Sequence, residues 1–250
     1  MKVVPINVTV SEGDVILVNA DYAFQNNDEE DLVSVSCSYP DILVKKIVAE
    51  NLKQVFQKID CNDCIVPVSG YRSAEEQTQI YETSIRENGE KFTRKFVALP
   101  YHSEHQTGLA IDLGLMKEEI DFICPEFPYE GICNEFRKKA IHYGFVERYP
   151  EGKESITGIA HEPWHFRYVG YPHSQIMKEK GMVLEEYLPF IKQFSQDKPY
   201  VWREDSETTK IFFVKTGANS ISISDTCTYQ VSGNNIDGFI VTIWRKNDES

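Results

Sequence analysis

Between residues 41 and 59 apolar side chains recur at Ile42, Leu43, Ile47, Val48, Leu52, Val55, Phe56 and Ile59. Steps of three and four residues gather them on one face, which predicts a core-facing amphipathic helix over 41–59. Upstream, Val3-Val4-Pro5-Ile6 and Val15-Ile16-Leu17-Val18 predict short strands over 3–10 and 15–19, parted by a turn at Ser11-Glu12-Gly13-Asp14. The acidic stretch from Gln25 to Asp31 reads as a solvated loop. Ile65 to Ser69 reads as a strand entering a turn at Gly70. Ser73-Ala74-Glu75-Glu76 has the spacing of a capping box, and Asn88-Gly89 supplies a helix end. Leu109 to Leu113, following Gly108, predicts a short buried strand. A helix over 134–143 closed by Gly144, an aromatic and β-branched strand from Trp164 to Val169, and a helix over about 184–195 follow.

Beyond residue 200 the pattern changes. Lys210–Lys215, Ser220–Ser224, Thr226–Val231 and Gly238–Trp244 read as strands joined by turns such as Gly233-Asn234-Asn235. The expected organisation is a domain over 1–200 followed by a small C-terminal β extension over 201–250. Short strands mixed irregularly with helices give an α+β class: a small antiparallel sheet with helices packed around a cleft.

With 250 residues, 41% hydrophobic and 26% charged, the chain buries a substantial core without needing staples and is not compositionally disordered. Lys and Arg total 26 against 39 Asp and Glu, a net charge of −13 that argues against nucleic-acid or anionic-membrane binding. No apolar run approaches the roughly 18 residues of a membrane span. Pro5, Asn7, Thr9, Glu12 and Asp14 break up the N-terminal segment, so it does not read as a signal peptide, and a cytoplasmic protein is expected. In that compartment the six cysteines read as buried thiols and not as a disulfide framework. Cys61 and Cys64 have the spacing of a zinc knuckle or redox pair, but no second pair follows and a tight turn after the helix is the plainer reading.

Four of the six histidines fall in two short segments, 101–112 and 160–168. Two imidazoles and a carboxylate around an open position are the composition of catalytic zinc. His105, Asp112 and His165 could supply that set, with Glu162 as a further carboxylate beside it. His105 and Asp112 are seven apart, and Glu162 and His165 three apart, odd offsets that an ideal strand sends to opposite faces. A turn at Gln106-Thr107-Gly108 and the missing donor of Pro163 would relax that constraint. His161, which has the same parity as His165, is a rival ligand. Structural histidines beside a structural aspartate remain the alternative to any metal.

These residues also resemble a known family. Ser103-Glu104-His105-Gln106-Thr107-Gly108-Leu109-Ala110-Ile111-Asp112 is similar to the SxHxxGxAxD motif of the zinc D-alanyl-D-alanine peptidases. Glu162-Pro163-Trp164-His165 resembles their ExxH motif and Ser69-Gly70-Tyr71-Arg72-Ser73 their SGYRS segment, in the family's order. The nearest resemblance is to the VanXY-type D,D-dipeptidase/D,D-carboxypeptidases of vancomycin resistance, over roughly residues 1–195. It implies one zinc per chain held by His105, Asp112 and His165, with Glu162 as catalytic base and Arg72 stabilising the transition state. It also implies Ser103 as a contact for the substrate's terminal carboxylate, while Tyr71 and Gln77, flanking Arg72, are expected to line the cleft. The implied substrates are small peptides ending in D-Ala-D-Ala: the free dipeptide and the muramyl pentapeptide precursor. A homodimer is left open, and His161 becomes a supporting residue. Two alternatives stand beside this reading. One is a cell-wall endopeptidase of the same zinc fold, with the β extension as a wall-binding module. The other is a non-catalytic zinc-binding protein, against which Glu162 and Arg72 together argue.

Overall fold

The computed structural model describes residues 2–24, 31–61, 63–204 and 207–246. The loop expected over Gln25 to Asp31 therefore lies, apart from Asp31, outside the described residues. The chain opens with β1 (Lys2–Pro5), β2 (Leu32–Ser36), β3 (Tyr39–Lys45), α1 (Lys46–Lys58) and β4 (Ile65–Ser69). Next come α2 (Ala74–Asn88), α3 (Glu90–Phe96), β5 (Ala110–Leu115), α4 (Gly131–Ala140), β6 (Phe145–Tyr149), α5 (Glu154–Thr157) and β7 (Glu162–Tyr168). α6 (His173–Lys180) and α7 (Leu184–Ile191) precede the closing strands β8 (Tyr200–Glu204), β9 (Glu207–Lys215), β10 (Ser220–Ile223), β11 (Thr228–Gly233) and β12 (Gly238–Lys246). The α+β class holds. Among the described residues no helix is long and apolar enough to cross a membrane.

The chain forms two compact units, one over Val18–Val183 and the other built from Met1–Leu17 together with Leu184–Ser250. In the first, an antiparallel sheet runs β4-β5-β7-β6, and a β2–β3 hairpin leads directly into α1. Alternation along β7 sends Phe166 and Tyr168 to one face and His165 and Arg167 to the other. Phe166 packs edge-on against Phe127 and Phe136, with ring centroids 5.3 and 4.9 Å apart, and forms the apolar side of the sheet. The opposite face carries the charged groups.

In the second unit a sheet runs β11-β12-β9-β8 and β1 pairs antiparallel with β10, Val4 opposite Ile221. Val4, Phe212, Ile221, Ile223 and Val241 make its core. The expected boundary near residue 200 is thus corrected. The N-terminal strand belongs with the C-terminal ones, and α7 joins them too, because Phe190 and Phe194 beyond it pack on Tyr200 at the head of β8.

Two other expectations change. Val15 to Val18 are buried but form no strand: the Val15 amide donates to Ser232 Oγ and the Leu17 amide to the Asn234 carbonyl, so a side chain and a turn replace a ladder. The helix expected from 41 starts only at Lys46, since Ile42, Leu43 and Val44 extend β3 opposite β2. The capping box at Ser73 is present with both reciprocal bonds. Cys64 donates its amide to the Cys61 carbonyl, as the turn reading expects. All six cysteines are free thiols, but the expected burial is corrected: only Cys61 and Cys133 are buried, and Cys37 and Cys64 are exposed.

Candidate active site

Antiparallel pairing places Asp112 of β5 directly opposite His165 of β7, with Ser69 of β4 on the other side of Asp112. The odd offset between Glu162 and His165 is absorbed by an irregularity in the β6–β7 pairing between Glu147 and Tyr149, where β7 carries more residues than its partner. Glu162 thereby comes within 4.0 Å of His165 Nδ1. His105 reaches the same point from a short 3-10 turn, Glu104–Thr107, which closes at Gly108 in the left-handed conformation (φ 67°) before β5 begins. A side chain at 108 would also meet Leu32 and Lys45.

One ligand atom from each of His105, Asp112 and His165 lies within 4.8 Å of the others, and all three residues are buried. The His105 Nδ1–H donates to the Gly70 carbonyl at 2.6 Å, which leaves Nε2 as a bare acceptor. That nitrogen lies 3.1 Å from Asp112 Oδ2, while Asp112 Oδ1 lies 2.8 Å from His165 Nδ1. Burial, aided by the Arg72 guanidinium, holds His105 down at about 4, so its imidazole is neutral at pH 7. A neutral nitrogen and a carboxylate oxygen at 3.1 Å repel unless something positive lies between them. The donor set therefore fits a divalent cation with nitrogen and oxygen preferences, such as zinc.

Charges around this centre are strongly coupled. Burial pushes Glu162 up to about 8, with the Asp112 carboxylate adding to the effect against His165 and Arg72. Burial would lower His165, but the Asp112 carboxylate overrides it and raises the imidazole to about 9. Burial would raise Asp112, but the two imidazoles hold it well below the usual carboxylate range. Arg72, immediately before the helix cap at Ser73, donates from Nε to Ser69 Oγ (2.8 Å) and from a terminal nitrogen to Asp112 Oδ2 (2.9 Å). Its guanidinium lies 5.4 Å from the centre of the Phe122 ring.

The expected residues are not all brought together. His105, Asp112, His165, Glu162, Arg72 and Ser103 line one cleft, as does Gln77. Gln77 donates to the Ala98 carbonyl and leaves its buried Oε1 without a hydrogen-bond partner. Tyr71 does not line the cleft; its backbone turns toward β3, the amide donating to the Leu43 carbonyl at 2.6 Å. The rival ligand His161 also lies outside the set, because its Nε2 pairs with the Tyr129 hydroxyl at 2.7 Å beside Glu147.

Sequence reasoning missed Glu104, Arg148 and Arg167. Glu104 Oε1 accepts from Arg148 Nε at 2.8 Å and from Arg167 at 2.9 Å, with all three side chains essentially inaccessible. The available signal was an arginine at a core position of an otherwise apolar strand, Trp-His-Phe-Arg-Tyr. Tyr149, whose ring centroid lies 5.0 Å from that of His165, was also unmarked.

Comparison with known proteins bears directly on this geometry. The VanY family, described as D-alanyl-D-alanine carboxypeptidase, matches residues 41–171, just over half of the chain and the whole of the three-donor centre. The chain belongs to this family. It is a peptidase by that membership. Among curated relatives it is 43% identical over 179 residues to the bifunctional D-Ala-D-Ala dipeptidase and D-Ala-D-Ala carboxypeptidase VanXYC of Enterococcus gallinarum, covering 71% of this chain and 94% of that one. A D-alanyl-D-alanine carboxypeptidase of Enterococcus faecium is 35% identical over 250 residues, covering 94% of this chain and 76% of its own length. Among solved structures, the vancomycin-resistance D,D-dipeptidase VanXYg, in complex with a D-Ala-D-Ala phosphinate analogue, superposes with a TM-score of 0.95 at 54% identity, covering 98% of this chain and 99% of that one. A Glu-to-Ala variant of VanY from the VanB-type cassette, in complex with Zn(II), matches with a TM-score of 0.58 at 28% identity, over 70% of this chain and 98% of that one. The VanXYg likeness includes the β strands beyond residue 200, which lie outside the residues of the VanY match.

Proposed function

We propose that this VanY-family member is a cytoplasmic zinc-dependent D,D-peptidase. It hydrolyses the D-Ala-D-Ala bond both in the free dipeptide and at the end of muramyl pentapeptide precursors, as vancomycin resistance requires. The observation that carries the reading is the buried convergence of His105 Nε2, Asp112 and His165 Nδ1 within 4.8 Å, with Glu162 at its edge. The likeness to VanXYC and VanXYg supports the pairing of dipeptidase and carboxypeptidase activities.

His105, Asp112 and His165 would hold the ion. Bound there, zinc would make water acidic enough to attack near neutral pH and would polarise the scissile carbonyl. A Glu162 carboxylate oxygen takes the proton as the water oxygen bonds to the carbonyl carbon. When the C–N bond breaks, the same oxygen returns the proton to the departing amine nitrogen. A carboxyl tuned up toward the operating pH suits both transfers. The Arg72 guanidinium, held rigid by Ser69 and Asp112, stabilises negative charge on the tetrahedral oxygen. Ser103 donates to the substrate's terminal carboxylate, and the unpaired Gln77 Oε1 is placed to accept from a substrate N–H. The direct test offers D-alanyl-D-alanine and a pentapeptide precursor side by side to the zinc-loaded protein and measures D-alanine. Release from both is expected; release from neither, with zinc bound, overturns the reading.

A further inference from the structure

Each of the two histidines at the centre has one ring nitrogen turned toward it and one turned away. For His105 the outward nitrogen, Nδ1, is fixed by the Gly70 carbonyl. For His165 the outward nitrogen is Nε2, and it is buried without a hydrogen-bond partner. Facing it at 3.6 Å is Glu104 Oε2, which is likewise buried and unpartnered. Two buried, unpartnered polar atoms of opposite role at this distance lie just beyond hydrogen-bond length, and a shift of well under ~1 Å by either side chain would close the bond.

The rest of the Glu104 side chain is arranged for that purpose. Arg148 and Arg167 both donate to the same oxygen, Oε1. A carboxylate serving only to neutralise two arginines would more simply offer one oxygen to each. Arg167 lies on the same face of β7 as His165, two residues on, so the strand itself sets the spacing between clamp and ring. Glu104 also sits next to His105, so one short turn places the ligand and the group behind the other ligand.

We propose that Glu104 is a positioning residue for His165. Its Oε2 accepts the Nε2–H and fixes the imidazole in the tautomer whose Nδ1 lone pair serves the metal, while Arg148 and Arg167 hold the carboxylate through Oε1. A hydrogen bond of this kind orients a ligating imidazole and raises its basicity, and its loss typically weakens metal binding by about 10–100-fold. The inference rests on the zinc reading above and extends it to a residue that touches neither metal nor substrate.

The test titrates zinc into the full-length protein and its Glu104→Gln variant in competition with a chromophoric chelator. The isosteric amide must present N–H groups either to the arginines or to His165, so one donor is set against another. The expected result is a zinc dissociation constant weaker by roughly 10–100-fold in the variant, with cooperative unfolding of the metal-free protein retained. Should that variant fail to fold, the wild-type protein decides the matter. In its zinc-loaded, nitrogen-15-labelled form, His165 should show a protonated, slowly exchanging Nε2 and a metal-bound Nδ1. A folded Glu104→Gln variant with unchanged zinc affinity, or an unprotonated His165 Nε2 in the wild type, overturns the role of Glu104 alone. Failure of the wild type to take up zinc overturns the metal reading together with it.

Discussion

Glu162 is a carboxyl surrounded by both signs of charge, with Asp112 raising its affinity for protons and Arg72 and His165 reducing it. Its side chain is not one of the three converging donors, so metal content and turnover separate at this residue. Glu162→Gln should keep one zinc per chain by metal analysis while kcat falls by roughly 10²–10⁴, and a variant with half the parent's turnover would remove Glu162 from the base role. Arg72 is different in kind. Its planar fork spans Ser69 and Asp112 at once, which an ammonium cannot do. Arg72→Lys should therefore lower kcat/KM by roughly 10²–10³, with the deficit in kcat rather than KM; steady-state kinetics on the free dipeptide reads the split.

At the scale of the element, the active site depends on places where regular structure is interrupted. Gly70 ends β4 against β3 so closely that a Cβ there would sit 2.2 Å from the Leu43 carbonyl oxygen. Because the Gly70 carbonyl also orients His105, Gly70→Ala should cost about 1–3 kcal/mol in stability and weaken zinc binding together. Urea unfolding and chelator competition on one preparation measure both, and a destabilised variant with unaltered zinc affinity would show that the carbonyl does not position the ring. These interruptions explain what the sequence made legible. The capping box at Ser73, the turn at Gly108 and the donor-less Pro163 are local chemistry, and each is where the pattern puts it. The β6–β7 irregularity that brings Glu162 to His165 depends on the neighbouring strand, so only the permission for it, Pro163, was visible. Glu104 with Arg148 and Arg167 joins three separate segments through space and leaves no periodic trace. Val15 to Val18 failed for the opposite reason: a continuous apolar run signals burial without specifying a ladder.

For the whole molecule, charge burial sets the response to acid. His173, at the start of α6, is 2% exposed, and burial holds its imidazole down at about 4. The unfolded chain takes up this proton near pH 6.5, whereas the folded chain resists until about 4. Stability from this residue is therefore fully present above 6.5 and is lost as pH falls across that window, by up to roughly 3 kcal/mol. His173→Gln should flatten the stability profile between pH 6.5 and 4.5 relative to the parent in denaturant titrations. Parallel profiles would mean that His173 is not the group responsible.

The division of the chain into units has a consequence in time. The unit that carries the active site is one continuous stretch, Val18–Val183, whereas the other is begun before it and finished after it. On a ribosome adding about 5–20 residues per second, the active-site unit can emerge and fold while synthesis continues. The first strand waits: Val4 meets its partner Ile221 only 217 positions later, a delay of roughly 10–40 s. Through that interval β1 has no strand to pair with, so a chaperone that shields unpaired strands would act on Lys2–Pro5 and not on the catalytic stretch.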